Sequence, residues 1–134
     1  MSEKSFQSYF MKTVDHGYRT SLVNGGGFPD ILVISGEKHF LVELKMLHIG
    51  VTGNRKLKSL FKPSQIPWYF KYLKKGGSNI CVAFKLDKKY GLLKVCEDFC
   101  RNYDTIKYLD IKNNWEYNYS EYDTLKELIN VNFS

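Results

Sequence analysis

The sequence predicts a single α/β domain, a central mixed β-sheet flanked by helices. Three observations predict it. Two apolar runs, Ile31-Leu32-Val33-Ile34 and His39-Phe40-Leu41-Val42-Glu43-Leu44-Lys45, are separated by the turn signal Ser35-Gly36-Glu37-Lys38. Both alternating faces of these runs are largely apolar, so both need covering, as in a layered α/β fold. Helical spacing flanks them, with Phe6, Phe10 and Thr13 or Val14 before and the stretch from Gln65 to Lys75 after.

The first helix is expected from about Glu3 to Val14, with Ser2 as its N-cap. Asp15-His16-Gly17 ends it, Gly17 serving as C-cap. Tyr18 to Val23 alternates as a strand and leads into Asn24 and Gly25-Gly26-Gly27. Three glycines allow close approach to a phosphate or another chain, or simply a turn. No Gly-Lys-Ser/Thr follows, so this is not a P-loop.

The hairpin comes next. Gly36-Glu37 suits a two-residue type II′ turn, with glycine at its first central position. That turn sets the register: Ser35 faces Lys38, Ile34 faces His39, Leu32 faces Leu41, and Asp30 faces Glu43. Two carboxylates then stand opposite each other, with Cβ atoms about 5 Å apart. Lys45 projects from the same face, two residues beyond Glu43. Facing like charges destabilise a sheet. A cation relieves that repulsion, whether the Lys45 ammonium or a divalent metal held by oxygen ligands. The same residues would also serve as a surface salt bridge at a sheet edge.

Met46 to Lys62 is irregular and basic, and no acid occurs from Met46 to Leu86. Arg55, Lys56, Lys58, Lys62, Lys71, Lys74 and Lys75 lie in that tract, as a phosphate-tracking surface requires. Phe61, Trp68, Tyr69 and Tyr72 interleave with it. Aromatic rings can stack on unpaired bases, but Tyr69 and Leu73 read as core. Ser64 caps the next helix, Pro67 falls in its first turn, and Gly76-Gly77 stops it near Lys75. Ile80 to Phe84 is a compact apolar strand beside the motif strand, and Tyr90 to Val95 is another. A short helix is expected from Glu97 to Tyr103. A last helix is expected from Glu121 to about Asn130, with Ser120 and Asp123 as its capping box. Residues 96 to 134 carry no identifiable chemistry.

Composition bounds the function. The 134 residues, 43% hydrophobic and 16% aromatic, suit one packed domain. A net charge of +6 and a pI near 9.1 favour a polyanionic partner. No stretch is long and apolar enough for a membrane span, and the N-terminus lacks a signal-peptide core. Cys81, Cys96 and Cys100 form no CxxC pair and read as reduced thiols of a cytoplasmic protein. Zinc at Cys96 and Cys100 lacks a set of four well-spaced ligands.

Pro29-Asp30, a turn, and Glu43-Leu44-Lys45 together resemble the PD-(D/E)XK nuclease superfamily. The opening Glu3-Lys4-Ser5-Phe6-Gln7 is similar to the start of small phage-type VRR-NUC domains within it. The resemblance covers residues 3 to about 84. The Val-Arg-Arg triplet behind that name is absent, and the strand reads Val82-Ala83-Phe84-Lys85.

The resemblance implies a restriction-endonuclease-like sheet and a metal-dependent DNA endonuclease, most nearly a Holliday junction resolvase. Such enzymes act as homodimers on branched DNA, in the host cytoplasm if the chain is viral. It places Asp30, Glu43, Lys45 and Gln65 in the catalytic set. It assigns Mg²⁺ or Mn²⁺ to Asp30, Glu43 and either Glu3 or the Leu44 carbonyl. Gln7 is a weaker candidate for the same region. The residue-level alternatives are a sequence- or mismatch-directed endonuclease of the same fold and a nucleic-acid-binding module that does not cut.

Overall fold

The computed structural model describes residues 1–20 and 27–134. One six-stranded sheet runs in the order β1 (Gly17–Arg19), β2 (Ile31–Ser35), β3 (Lys38–Met46), β4 (Ile80–Lys85), β5 (Tyr90–Lys94), β6 (Asn118–Tyr122). Every neighbouring pair is antiparallel except β3 and β4, which run parallel. A parallel pair needs a long crossover. Residues 47 to 79 supply it, including a 3-10 turn at Lys58–Leu60 and helix α2 (Gln65–Lys74).

The hairpin register is the one the turn dictates: Ser35 opposite Lys38, Ile34 opposite His39, Leu32 opposite Leu41. Gly36 has φ +62° and Glu37 does not take positive φ, as a type II′ turn requires. The ladder with β3 closes at Ile31 opposite Val42. Asp30 lies just beyond it, its carbonyl accepting the Thr20 amide at 3.0 Å.

The alternation of β-strand side chains splits the core into two layers. One face buries Ile31, Val33, Val42, Leu44, Cys81, Ala83 and Leu92. Helix α1 (Glu3–Thr13) covers it with Phe6 and Phe10, spaced four apart. Ser2 caps α1 by accepting the Ser5 amide at 3.0 Å. Helix α5 (Leu125–Phe133) adds Leu125, Leu128, Ile129 and Phe133 to the same face. The other face buries Leu41, Val82, Phe84 and Leu93 under α2, α3 (Glu97–Asn102) and α4 (Tyr108–Asn113). Each fully buried aliphatic or aromatic side chain contributes about 2–3 kcal/mol.

Four expectations are corrected. Gly17 does not cap α1: the C-cap is Val14, and Gly17 opens β1. The last helix starts at Leu125, because Glu121 lies in β6 and its carboxylate accepts the hydroxyls of Tyr108 and Tyr119. Its cap is Thr124, which accepts the Glu127 amide at 3.1 Å, not Ser120 with Asp123. Ser64 stands at the N-cap of α2 but makes no side-chain capping bond. The strand expected over Tyr18 to Val23 is seen as β1, and its part from Ser21 onward, with Gly25 and Gly26, lies outside the described residues. Helix α4 and strand β6 have no counterpart among the elements expected from sequence. Cys81, Cys96 and Cys100 are free thiols. Among the described residues no helix is long and apolar enough to cross a membrane.

Candidate active site

The buried polar or charged residues of the described chain are Glu43, Lys45 and Gln65, exposed by 1%, 5% and 6%. Lys45 and Gln65 are both bonded to Glu43. Strand β3 delivers Glu43 and Lys45 to the α2 side of the sheet, between Leu41 and the register partners Val82 and Phe84. Lys45 Nζ lies 3.2 Å from Glu43 Oε2. Gln65, the first residue of α2, donates from Nε2 to the same oxygen at 2.9 Å. Its Oε1 accepts the Lys62 amide at 2.9 Å, so the side chain itself ties down the turn that enters α2.

Asp30 reaches the site from the start of β2. Its Oδ2 accepts the Leu44 amide at 3.0 Å, which continues the hairpin by side chain where the backbone ladder has stopped. Leu44 thus meets the site through its amide, while its side chain is fully buried in the opposite layer. Glu3 is exposed on the first turn of α1. One carboxylate oxygen each from Glu3, Asp30 and Glu43 lies within 4.8 Å of the others. The three acids that the resemblance groups are therefore brought together. Gln7 Oε1 accepts from Arg19 at 3.3 Å.

Burial dominates the electrostatics of Glu43. It raises the carboxyl from its ordinary 4.5 to about 7. The Asp30 charge pushes the same way, and the Lys45 charge opposes both. Glu43 Oε1 is buried and has no hydrogen-bond partner. An unpaired oxygen on a buried carboxylate is costly unless something binds it. The donor set is all oxygen, which suits a hard divalent cation better than zinc.

Tyr69 belongs to the core, as the sequence predicts, and is fully buried. It also borders the site. Burial first, then the charges of Glu43 and Asp30 and a close side-chain approach to Glu43, raise its hydroxyl far above the ordinary tyrosine value, and no partner meets it in ordinary hydrogen-bond geometry. Its position four residues after Gln65, one turn along α2, is the sequence signal for that placement. Phe61 also borders the site, which its sequence context does not indicate. Its ring lies under Lys45, with Nζ 5.5 Å from the centroid.

The proposed nucleic-acid contacts are spread along the crossover. Arg55, Lys56, Lys58 and Lys62 are exposed on the irregular segment, and Lys71 and Lys75 on or just after α2. Among the described residues none of these six makes an ion pair. Lys74 is engaged by Glu97 at 3.1 Å. Phe28 packs edge-on against Trp68, which stacks on Tyr72 at 5.2 Å, so these rings largely contact one another. No family model, curated protein or solved structure matches the chain.

Proposed function

We propose that the protein is a metal-dependent DNA endonuclease of the PD-(D/E)XK type, selective for branched DNA and most nearly a junction resolvase. One observation carries the reading. Glu3, Asp30 and Glu43 converge from three separate segments, and one oxygen of the buried Glu43 carboxylate has no protein donor. Like charges held this close repel, and a bound cation would relieve the repulsion.

Glu3, Asp30 and Glu43 would hold Mg²⁺ or Mn²⁺ through carboxylate oxygens. When bound, such an ion polarises a phosphodiester and lowers the pKa of a bound water. The chain's own groups do the rest. Gln65 and Lys45 fix Glu43 through Oε2, which leaves Oε1 as the ligand oxygen. The Leu44 amide fixes Asp30 through Oδ2. The Lys45 ammonium stabilises negative charge that grows on the phosphate in the transition state. The unpaired cations of the crossover hold the DNA backbone without reading bases. A resolvase cuts two strands symmetrically, so two copies of the chain would act together.

The test is a labelled four-way junction beside a matched linear duplex, with Mg²⁺, Mn²⁺ or EDTA. Wild type is run with Asp30→Asn and Lys45→Ala. The expected result is paired symmetric nicks on the junction, abolished by EDTA and in both variants while binding persists. Equal cutting of linear duplex would replace junction selectivity with general or sequence-directed cleavage. Salt-sensitive binding without cutting under any of these conditions would overturn the enzyme and leave a binding module.

A further inference from the structure

We propose that Phe61 is the positioning residue for Lys45, holding its ammonium through the face of the ring. The inference rests on the reading of Lys45 as the group that stabilises phosphate charge, and it adds what keeps that group in place.

Lys45 is 5% exposed, so its ammonium has given up nearly all its water. Among the described residues it has one anionic partner within salt-bridge distance, Glu43 at 3.2 Å. That carboxylate oxygen is shared with Gln65. A second attraction comes from Phe61, whose ring centroid is 5.5 Å from Nζ. This lies within the range of a cation–π contact, and such contacts strengthen when water is excluded.

The ring is itself held. Phe61 is 9% exposed. It meets Tyr69 edge-on at 6.4 Å and Phe99 at 6.2 Å. Its amide donates to the Lys58 carbonyl at 3.2 Å, closing the 3-10 turn. Four residues later the same segment supplies Gln65. One stretch of chain therefore grips both members of the ion pair, Lys45 by Phe61 and Glu43 by Gln65.

The choice of an aromatic ring has a chemical consequence. A second carboxylate beside Lys45 would hold the ammonium but neutralise it and accept its N–H groups. A ring face attracts the cation through its quadrupole and offers no lone pair of that kind. The ammonium keeps its charge and its free N–H donors for phosphate oxygens.

Simple packing of Phe61 against Tyr69 and Phe99 would give the same arrangement, so the test must change the ring's electrons and not its shape. Phe61 is replaced by 4-fluoro-, 3,5-difluoro- and 3,4,5-trifluorophenylalanine in the full chain. Two quantities are read: ¹³Cε relaxation of Lys45 in the DNA-free protein, and single-turnover cleavage of saturating junction DNA. Stepwise fluorination should loosen Lys45 stepwise at constant Tm, and slow cleavage by about threefold to tenfold across the series. Phe61→Leu should loosen Lys45 further, and Phe61→Tyr should restore its order.

Lys45 order and cleavage that stay flat across the fluorinated series would overturn the inference. So would losses that track Tm, since those report packing. The relaxation arm needs no activity. If wild type cuts no DNA yet Lys45 loosens stepwise, the nuclease reading fails and the hold of Phe61 on Lys45 stands.

Discussion

Gln65 Nε2 donates to Glu43 Oε2 at 2.9 Å, and the same side chain accepts the Lys62 amide at 2.9 Å. A glutamine is needed at this position because the two bonds ask for a donor and an acceptor on one planar group. The arrangement fixes which Glu43 oxygen is bonded and which stays free. Gln65→Ala removes both bonds in a buried place. It should cost about 2–3 kcal/mol of stability, since the Lys62 amide and Glu43 lose partners together. Gln65→Glu keeps the acceptor but adds a fourth carboxylate to Glu3, Asp30 and Glu43. It should lower activity more than Gln65→Ala does, on the order of 10²-fold against tenfold. Urea denaturation and single-turnover cleavage check the pair. Equal activity in the two variants would remove Gln65 from the site's electrostatics.

The hairpin is legible in the sequence because a period-2 pattern and a two-residue turn leave one register, and Asp30 and Glu43 follow from counting. Lys45 follows from the same count. Bringing Glu3 to them is not a matter of counting. It depends on where α1 crosses the sheet, and only the resemblance points there. Strand β6 escapes sequence reading because Asn118-Tyr119-Ser120-Glu121-Tyr122 has no apolar face of its own. Its Glu121 accepts the hydroxyls of Tyr119 on the same strand and of Tyr108 on α4, and the second is a contact between segments. The expectation of a helix from Glu121 onward fails for the same reason. Tyr69 is legible as core but not as a neighbour of Glu43, since burial and placement look alike in a sequence.

Burial holds Glu43 at about 7, above its ordinary 4.5. The folded state therefore binds a proton more tightly than the unfolded state. Glu43 contributes stability that is fully present below pH 4.5 and lost as pH rises through about 7. The metal-free protein should lose roughly 2–3 kcal/mol from this group between about pH 4.5 and about pH 7.5. Glu43→Gln should lack that part of the slope. Urea denaturation in EDTA at about pH 5 and about pH 8 isolates it as the difference between the two proteins. Parallel profiles would show that Glu43 is ionised across the range.

Asp30→Asn separates function from stability. Asparagine keeps an oxygen to accept the Leu44 amide but removes a charge facing Glu43 and Glu3. In EDTA the variant should be more stable than wild type, by about 0.5–1 kcal/mol. With Mg²⁺ or Mn²⁺ the order should reverse, because wild type gains binding energy that the variant cannot. Glu3→Gln should show the same reversal in weaker form, as Glu3 is exposed and better solvated. Thermal scans with and without metal decide it. A wild-type Tm that ignores millimolar metal would sink the metal site.

The Tyr69 hydroxyl is buried without a partner. Removing it breaks no hydrogen bond of ordinary geometry, so Tyr69→Phe should leave the metal-free protein as stable as wild type or up to about 1 kcal/mol more stable. A loss above about 1 kcal/mol in urea denaturation would mean that the hydroxyl bonds to Glu43 in solution.

Gly27 packs against α2 three residues before Asp30. It has φ +87°, and a Cβ there would lie 2.6 Å from the Ser64 carbonyl oxygen and 2.8 Å from Trp68 Cβ. That carbonyl already accepts the Trp68 amide in the first turn of α2, so it cannot move aside cheaply. Gly27→Ala therefore adds steric overlap to an unfavourable backbone conformation, at about 2–4 kcal/mol together. Gly36 is the control: its φ is +62°, and a Cβ added there would meet no atom within 4 Å. Gly36→Ala should cost only the conformational part, about 1–2 kcal/mol. The two variants also differ in function. Gly27→Ala pushes the Phe28-Pro29-Asp30 segment away from α2 and should weaken metal binding and cleavage, whereas Gly36→Ala, at the far end of the hairpin, should leave both near wild type. If the two variants lose stability and activity equally, the contact between Gly27 and α2 does not position Asp30.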